Sequence, residues 1–501
     1  MVTFILCILL LILGYLVYGK ITENIFGIKP ELQTPAYRLQ DGIDYVPMPT
    51  WKTTLIELLN IAGTGPIFGP IAGALFGPAA FMWIVLGCIL GGAVHDYMIG
   101  MLSVRNDGTN ISEIVGKYLG KVPRNIMRVF SIVLLMFIGV VFITSPAMVL
   151  KTMFAPNSAN FYNICVVVII ALYILGTLLP VDKALGAVYP FFGVCLMVMA
   201  VGIIVMMFVT GEIRSVPEIA FVNMRPDKAT NILGKIFPFL FITIACGAVS
   251  GFHATQAPIM ARCMRNEKEG RMVFYGAMIL EGIIAMIWAA ATMAHFNYVG
   301  VVSAVAAPEV VTRVSVDYLG TVGGMLAVFG VVACPLTSGM TAFRSARLII
   351  ADIFGYDQKP NKNRLVIAIP LFAIGVVMVL YSLASAENFN VIWRYFAWSN
   401  QTLATIGLWT ASAYLAKVGK QYWITLFPGA FMTAVVTTYL FTAEECLGPL
   451  FIALTGSMDL TYLIGLGVGI ILSVTLLILF IPLIGIKQKG TMRELSQKTA
   501  A

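Results

Sequence analysis

The sequence is short of charge. Only 11% of its 501 residues are Asp, Glu, Lys or Arg, where a soluble chain carries about a quarter, and 59% are hydrophobic. That excludes an ordinary soluble enzyme and predicts an all-α polytopic membrane protein, for which length says nothing about domain number. Histidine is scarcer still. His95, His253 and His295 are the only three, too scattered for a recognisable ligand motif, so no metal is expected. The eight cysteines contain no C-x-x-C spacing and mostly lie in apolar runs, where cysteine behaves as a small hydrophobe. No disulfide framework, zinc site or other cofactor is expected. Residues 2–18 have no basic residue before them and no small-residue cleavage pattern before Lys20, which predicts a retained first span rather than a cleaved signal.

What is present is a series of apolar runs. A template of about twenty apolar residues gives about thirteen transmembrane helices, at 2–18, 54–75, 79–102, 125–150, 161–179, 186–210, 234–256, 272–296, 321–346, 365–383, 391–416, 421–443 and 461–486. The formal charge of +8 follows from placement across a membrane rather than from nucleic-acid binding. With the N-terminus outside and the C-terminus cytoplasmic, 25 of the 32 Lys and Arg fall on the inner side, as the positive-inside rule requires.

Two of the spans are interrupted. In LIELLNIAGTGPIFGP, residues 55–70, Gly63-Thr64-Gly65-Pro66 breaks an apolar helix. In FITIACGAVSGFHATQAP, residues 241–258, Gly247 to Gly251 does the same, and Pro258 is expected to end the run. Lipid cannot satisfy the backbone groups a break releases, and paired interrupted helices point to a transporter's binding site. The second and seventh spans are the broken ones. Five spans separate them, so the two units face opposite ways, and each has an amphipathic insert after its second span, at 111–119 and 308–319. This predicts an inverted five-plus-five repeat with the first unit at 51–210 and the second at 232–416. It is preceded by an extra span and cytoplasmic loop (1–50) and followed by two accessory spans (417–486) and a cytoplasmic tail (487–501).

The breaks and their surroundings supply the candidate substrate-binding residues: Asn60, Gly63, Thr64 and Gly65 from the first, Gly247, Ser250, Gly251, His253 and Gln256 from the second. Asn400 and Gln401 join them from the polar cluster of the eleventh span. Three acids fall inside spans, Glu57, Asp96 and Glu281, each at a cost of about 3 kcal/mol that needs a reason. Glu57, His95 and Asp96 are the proton-coupling candidates. The alternatives are a protonated, capped Glu57 and an Asp96 that reaches toward Arg105. His95 and Asp96, as neighbours, point about 100° apart on a helix. For mid-span Glu281, a structural hydrogen bond weighs as much as function. Ala62, Thr337, Ser338 and Thr341 form a candidate cation site, against the alternative of hydroxyls bonded to their own helix. Arg344 is either a carboxylate anchor or a positive-inside residue. Residues 18–49, with Arg38, Asp41 and Asp44, form either an inner gate or a plain surface connection.

Four stretches, TPAYRLQDGIDYVP, IAGTGPIFGPIAG, GAVHDY and FITIACGAVSGFHA, resemble the carbon-starvation protein A (CstA) family, with the likeness running from about residue 15 to 400. The resemblance implies membership of the amino acid/polyamine/organocation superfamily with its leucine-transporter-like fold. It also implies uptake of peptides or pyruvate during carbon starvation by proton symport. The expected function is therefore a secondary transporter of the bacterial inner membrane, not an enzyme, that imports small carboxylate-bearing nutrients. Its partners would be a small-molecule substrate, a proton or sodium ion and the lipid bilayer, without nucleic acid. A sodium-coupled amino-acid or peptide symporter, and a nutrient-sensing membrane protein without transport, are the alternatives.

Overall fold

The computed structural model describes residues 1–178, 189–220, 223–225, 232–296, 306–358 and 360–499, with backbone alone at 177–178, 189–190, 386–387 and 481–499. The start of the expected 186–210 span, the end of the 161–179 span, Lys183, Lys228, Lys359 and the side chains of the C-terminal tail lie outside these. Among the described residues every regular element is helical. Ten helices of the described residues are long and apolar enough to cross a membrane, or eleven when Thr50–Ala62 and Gly65–Phe76, bent by 48°, are taken as one span. Two further stretches expected as spans are helical without meeting that measure. Ala386–Lys417 is a 32-residue helix diluted by Arg394 and by Ser399 to Thr402. The seventh is a pair of short helices, Phe239–Thr243 and Phe252–Ala261.

The amphipathic inserts form as expected. Ile111–Leu119 is a helix whose N-cap, Asn110, accepts from Glu113 N. The segment after residue 307 is helical, with a kink at Gly320 where φ is +62°. The first span runs further than expected, through a π turn at Gly14–Tyr18 into Gly19–Phe26. Pro258 does not end its helix, which continues to Ala261. A proline this near a helix end removes a single backbone bond, and the surrounding core holds the last turn.

Two surfaces define the setting. The interior is closely packed, with Trp288, Tyr97, Tyr275, Phe142 and Phe252 almost wholly buried. The outside presents large apolar side chains, among them Val167, Val201, Ile369, Leu380, Leu454 and Ile471. An apolar belt of this extent is tolerated only in contact with lipid. The Lys121–Phe154 helix packs against both Ala333–Phe354 and Ala386–Lys417, and Trp423–Thr442 joins the last to the helix that begins at Met458. Both interrupted helices lie inside this frame.

Candidate functional site at the two helix breaks

The first break is made by glycine and proline. Gly63 has φ +42° and ψ −142°, a conformation that side chains rarely adopt, and a Cβ there would lie 2.2 Å from the Phe142 ring. Pro66 then opens the second half-helix in its first turn, where no N–H is needed. The second break is longer. Its helix stops at Thr243, the chain unwinds through Gly247 at φ +88°, and Phe252 starts the next helix. The two breaks touch: a Cβ on Gly65 would fall 2.4 Å from Cys246 Sγ, and one on Gly69 3.0 Å from the Thr243 carbonyl.

Several of the released backbone groups already have protein partners. Trp83 Nε1 donates to the Ile244 carbonyl at 2.8 Å, Gln401 Nε2 to Phe241 at 2.8 Å and Ser338 Oγ to Leu59 at 2.7 Å. Asn400 serves as a cap for the second half-helix. Its Oδ1 accepts from Phe252 N at 2.6 Å and Ser250 Oγ at 3.2 Å, and its carbonyl accepts from Gly251 N at 3.2 Å. These groups need no cargo to complete them, and a buried N–H or C=O left unpaired costs too much to await one.

Several buried side-chain atoms beside the breaks are unpaired. Both polar atoms of Asn60, Oε2 of Glu57, Oε1 of Gln256 and Gln401, and Nε2 of His95 are buried without a hydrogen-bond partner. Thr64 Oγ1 accepts from Ser145 Oγ at 3.3 Å. The expected cation group divides. Thr337 and Thr341 bond back to their own helix, whereas Ser338 reaches the first break.

Beside the second break lies a chain of titratable groups. Asp96, 2% exposed, lies between two imidazoles: Oδ1 is 2.8 Å from His95 Nδ1 and Oδ2 is 2.6 Å from His253 Nδ1. On its far side, His253 Nε2 lies 3.3 Å from Glu281 Oε2, without hydrogen-bond alignment. Asp96 therefore does not reach toward Arg105, which is committed to Glu267 at 2.9 and 3.0 Å. Sequence reasoning placed Asp96 and Glu281 on separate helices with separate fates and missed that His253 joins them. Their common signal was being the only acids, with Glu57, inside spans. A π turn, a feature frequent at functional sites, precedes each acid: Gly87–Gly92 before Asp96 and Arg271–Gly276 before Glu281. The third histidine, His295, pairs with Asp317 at 3.0 Å away from this chain.

Cys246, His253 and Glu281 each offer a ligand atom, all within 4.8 Å of one another and buried. The scattered sequence positions hid this convergence. A thiol, an imidazole and a carboxylate form a donor set that suits a transition metal. A separate cavity of about 620 Å³, lined by Trp83, Phe241, Val249, Phe427 and Phe431 among others, is almost wholly apolar and includes none of the substrate-binding candidates. It suits hydrocarbon rather than a carboxylate.

Two interrupted helices meeting inside an apolar-belted helical bundle define a membrane transporter. Solved structures share the architecture. A manganese transporter mutant from Eremococcus coleocola matches with a TM-score of 0.51 at 13% identity, covering 90% of this chain and 99% of that one. MhsT in complex with L-phenylalanine matches with a TM-score of 0.53 at 12% identity, covering 82% and 99%. The fold is thus of the leucine-transporter type. The chain belongs to the carbon starvation protein CstA family, whose model matches residues 1–211, 188–323 and 300–439. It is 44% identical over 340 residues to an uncharacterized membrane protein of Haemophilus influenzae, covering 59% of this chain and 92% of that one. It is 27% identical to the peptide transporter CstA of Bacillus subtilis, covering 85% and 88%. With the pyruvate/proton symporter BtsT of Escherichia coli it shares 28% identity, over 53% of this chain and 45% of that one.

Proposed function

We propose that this transporter imports a small carboxylate-bearing nutrient, a short peptide or pyruvate, together with a proton. The orientation would have the N-terminus outside and the C-terminus in the cytoplasm of a bacterial inner membrane. The observation that carries the reading is the buried Asp96–His253–Glu281 chain beside the contact of the two breaks. With Asp96 as the ionised member, it accepts from both histidines. That fixes the His253 proton on Nδ1 and points Nε2 at Glu281. A proton held between Nε2 and Glu281, on one or the other, would make this approach favourable. Without it, two lone-pair-bearing atoms would face each other at 3.3 Å in a buried space, where electrostatic repulsion is strong. The His253–Glu281 pair is therefore a one-proton store that empties when the two residues part.

Asn60 and Gln256, with unsatisfied atoms next to the breaks, are the groups assigned to the substrate. The BtsT and CstA relatives support pyruvate or peptide as the class. Uptake of labelled pyruvate and of dipeptides into proteoliposomes, with and without an inward proton gradient, tests the reading. Gradient-driven accumulation of either is expected, and transport of neither overturns it. A second reading rests on the Cys246–His253–Glu281 donor set, in which a transition-metal ion is the coupled cation. Uptake that survives exhaustive chelation excludes it.

A further inference from the structure

The helix Ala333–Phe354 passes both breaks. Ser338 Oγ holds the Leu59 carbonyl, and Ser345 Oγ donates to the Thr255 carbonyl at 3.2 Å. Beyond them it carries Arg344 and Arg347, about 9 and 14 Å along the axis from Ser338 at 1.5 Å per residue. Both are 4% exposed, and Arg364 of the next helix, 8% exposed, joins them. The three arginines, Asp44 and Gln358 line one cavity. Three guanidiniums buried together are costly unless an anion compensates them. Arg344 Nη1 lies 3.8 Å from Asp44 Oδ1 and its Nη2 donates to the Gly176 carbonyl. Arg347 has no carboxylate partner among the described residues. It donates to the neutral Gln358 Oε1, and its Nε is buried without a partner.

Asp44 is presented on a built turn. The Asp41 carboxylate accepts from the N–H groups of Ile43, Asp44 and Tyr45 at 2.8 to 2.9 Å, and Gly42 has φ +72°. Tyr45 OH and Arg38 tether the same loop to residue 107. With the loop in place, the cavity has only about 10 Å³ open to the centre of a water-sized sphere, room for a single water.

We propose that this cluster is a second carboxylate station at the inward mouth of the transport path, closed by Asp44 as a tethered stand-in. A departing substrate carboxylate displaces Asp44 and takes Arg347 and Arg344 as its bidentate partners, and release lets Asp44 return. Guanidiniums suit this role because their planar donor fork matches a carboxylate. The proposal rests on the substrate class given above. A free phosphate or a lipid headgroup shares the oxyanion chemistry, and the arms of the test separate them.

The full chain in nanodiscs of neutral phosphatidylcholine is titrated calorimetrically with pyruvate and, separately, with inorganic phosphate. Removing the competitor with Asp44→Asn should tighten pyruvate binding about tenfold, equivalent to about 1.4 kcal/mol. Adding Arg347→Gln should abolish that gain, and Arg347→Lys, which keeps the charge and loses the fork, should recover part of it. In the Asp44→Asn background, Asn60→Ala at the central site should leave the gain intact. That result would preserve this station even if uptake assays refuted the transporter reading. The proposal is overturned if Asp44→Asn changes nothing, or if both Arg347 variants retain the full gain. Loss of the gain in Asn60→Ala also overturns it, as does phosphate binding more tightly than pyruvate. So does loss of pyruvate binding when phosphatidylglycerol is included, which would assign the cluster to a lipid headgroup.

Discussion

The Asp96–His253 contact is the most exposed part of this reading, and a double-mutant cycle tests it directly. His253→Gln leaves Asp96 and Glu281, both buried, without the imidazole between them. Breaking a buried charged pair by removing one partner costs about 3–5 kcal/mol. Asp96→Asn is milder. The amide oxygen can accept from one histidine, but its NH2 then meets the N–H of the other, so one charge-assisted bond is lost, about 1.5–3 kcal/mol. His253→Gln removes the 2.6 Å contact and Asp96→Asn removes it or strips its charge, so the double variant should be less destabilised than the sum by up to about 1.5–3 kcal/mol. Equilibrium unfolding of the four proteins in mixed micelles gives the cycle. Additivity within about 0.5 kcal/mol, the behaviour of independent sites, would show that the two groups are not coupled and would remove the basis for the proton store.

Other expectations follow from the packing. Gly251→Ala would place a Cβ 2.3 Å from the Asn400 carbonyl and 2.4 Å from Ala404 N. Neither backbone can give way easily, so a loss of about 1–3 kcal/mol or more in stability is expected. The comparison protein Gly42→Ala, where nothing lies within 4 Å, should lose only about 1–2 kcal/mol from its left-handed backbone. Arg105→Ala strands the buried Glu267 carboxylate and exposes the Gly27 carbonyl, so thermal unfolding should show a loss of about 3–5 kcal/mol. Arg105→Lys should recover less than half of that, since it cannot reproduce the two bonds to Glu267. Asn400→Ala removes the acceptor for Phe252 N; a cost of about 1–3 kcal/mol and loss of uptake are expected.

The breaks were legible because they are local. Gly63-Thr64-Gly65-Pro66 states its own unwinding, and Gly247 with Gly251 marks the other, so their positions followed from glycine and proline chemistry in membrane-length runs. The extent of the second break was not legible. Ile244 to Cys246 are good membrane-helix residues, and they unwind where Trp83 Nε1 and Gln401 Nε2, 161 and 160 residues away in the chain from their partners, donate to the Ile244 and Phe241 carbonyls. The same limit applies to the titratable chain. Asp96, His253 and Glu281 each looked anomalous, but nothing in the spacing of 96, 253 and 281 says that one imidazole touches both acids. Only the packing of three helices does. Asn400 and Gln401 were recognised as site residues from their polarity in a buried span. Their use as caps for broken backbone required knowing that Asn400 meets the N–H groups of Gly251 and Phe252 and Gln401 the Phe241 carbonyl.

The placement of His253 connects substrate movement to the proton. It sits on the short Phe252–Ala261 helix, whose start is held by Asn400 and whose Thr255 carbonyl is held by Ser345. Asp96 and Glu281 stand on the longer helices Ala93–Arg105 and Ala277–His295. The acids address opposite ring nitrogens, so a shift of the short helix toward either one stretches the contact to the other. Stretching the Glu281 side removes the reason for the stored proton. Glu281→Gln should therefore break the link without blocking passage: its amide can donate to Nε2 permanently and holds no exchangeable proton. Proteoliposomes with this variant should exchange labelled for unlabelled pyruvate across the membrane at near-parental rates while losing accumulation driven by a pH gradient. Loss of exchange together with accumulation would place Glu281 in the substrate path or the packing instead. Accumulation that survives would show that the proton travels elsewhere, with Glu57 the remaining buried acid near the breaks.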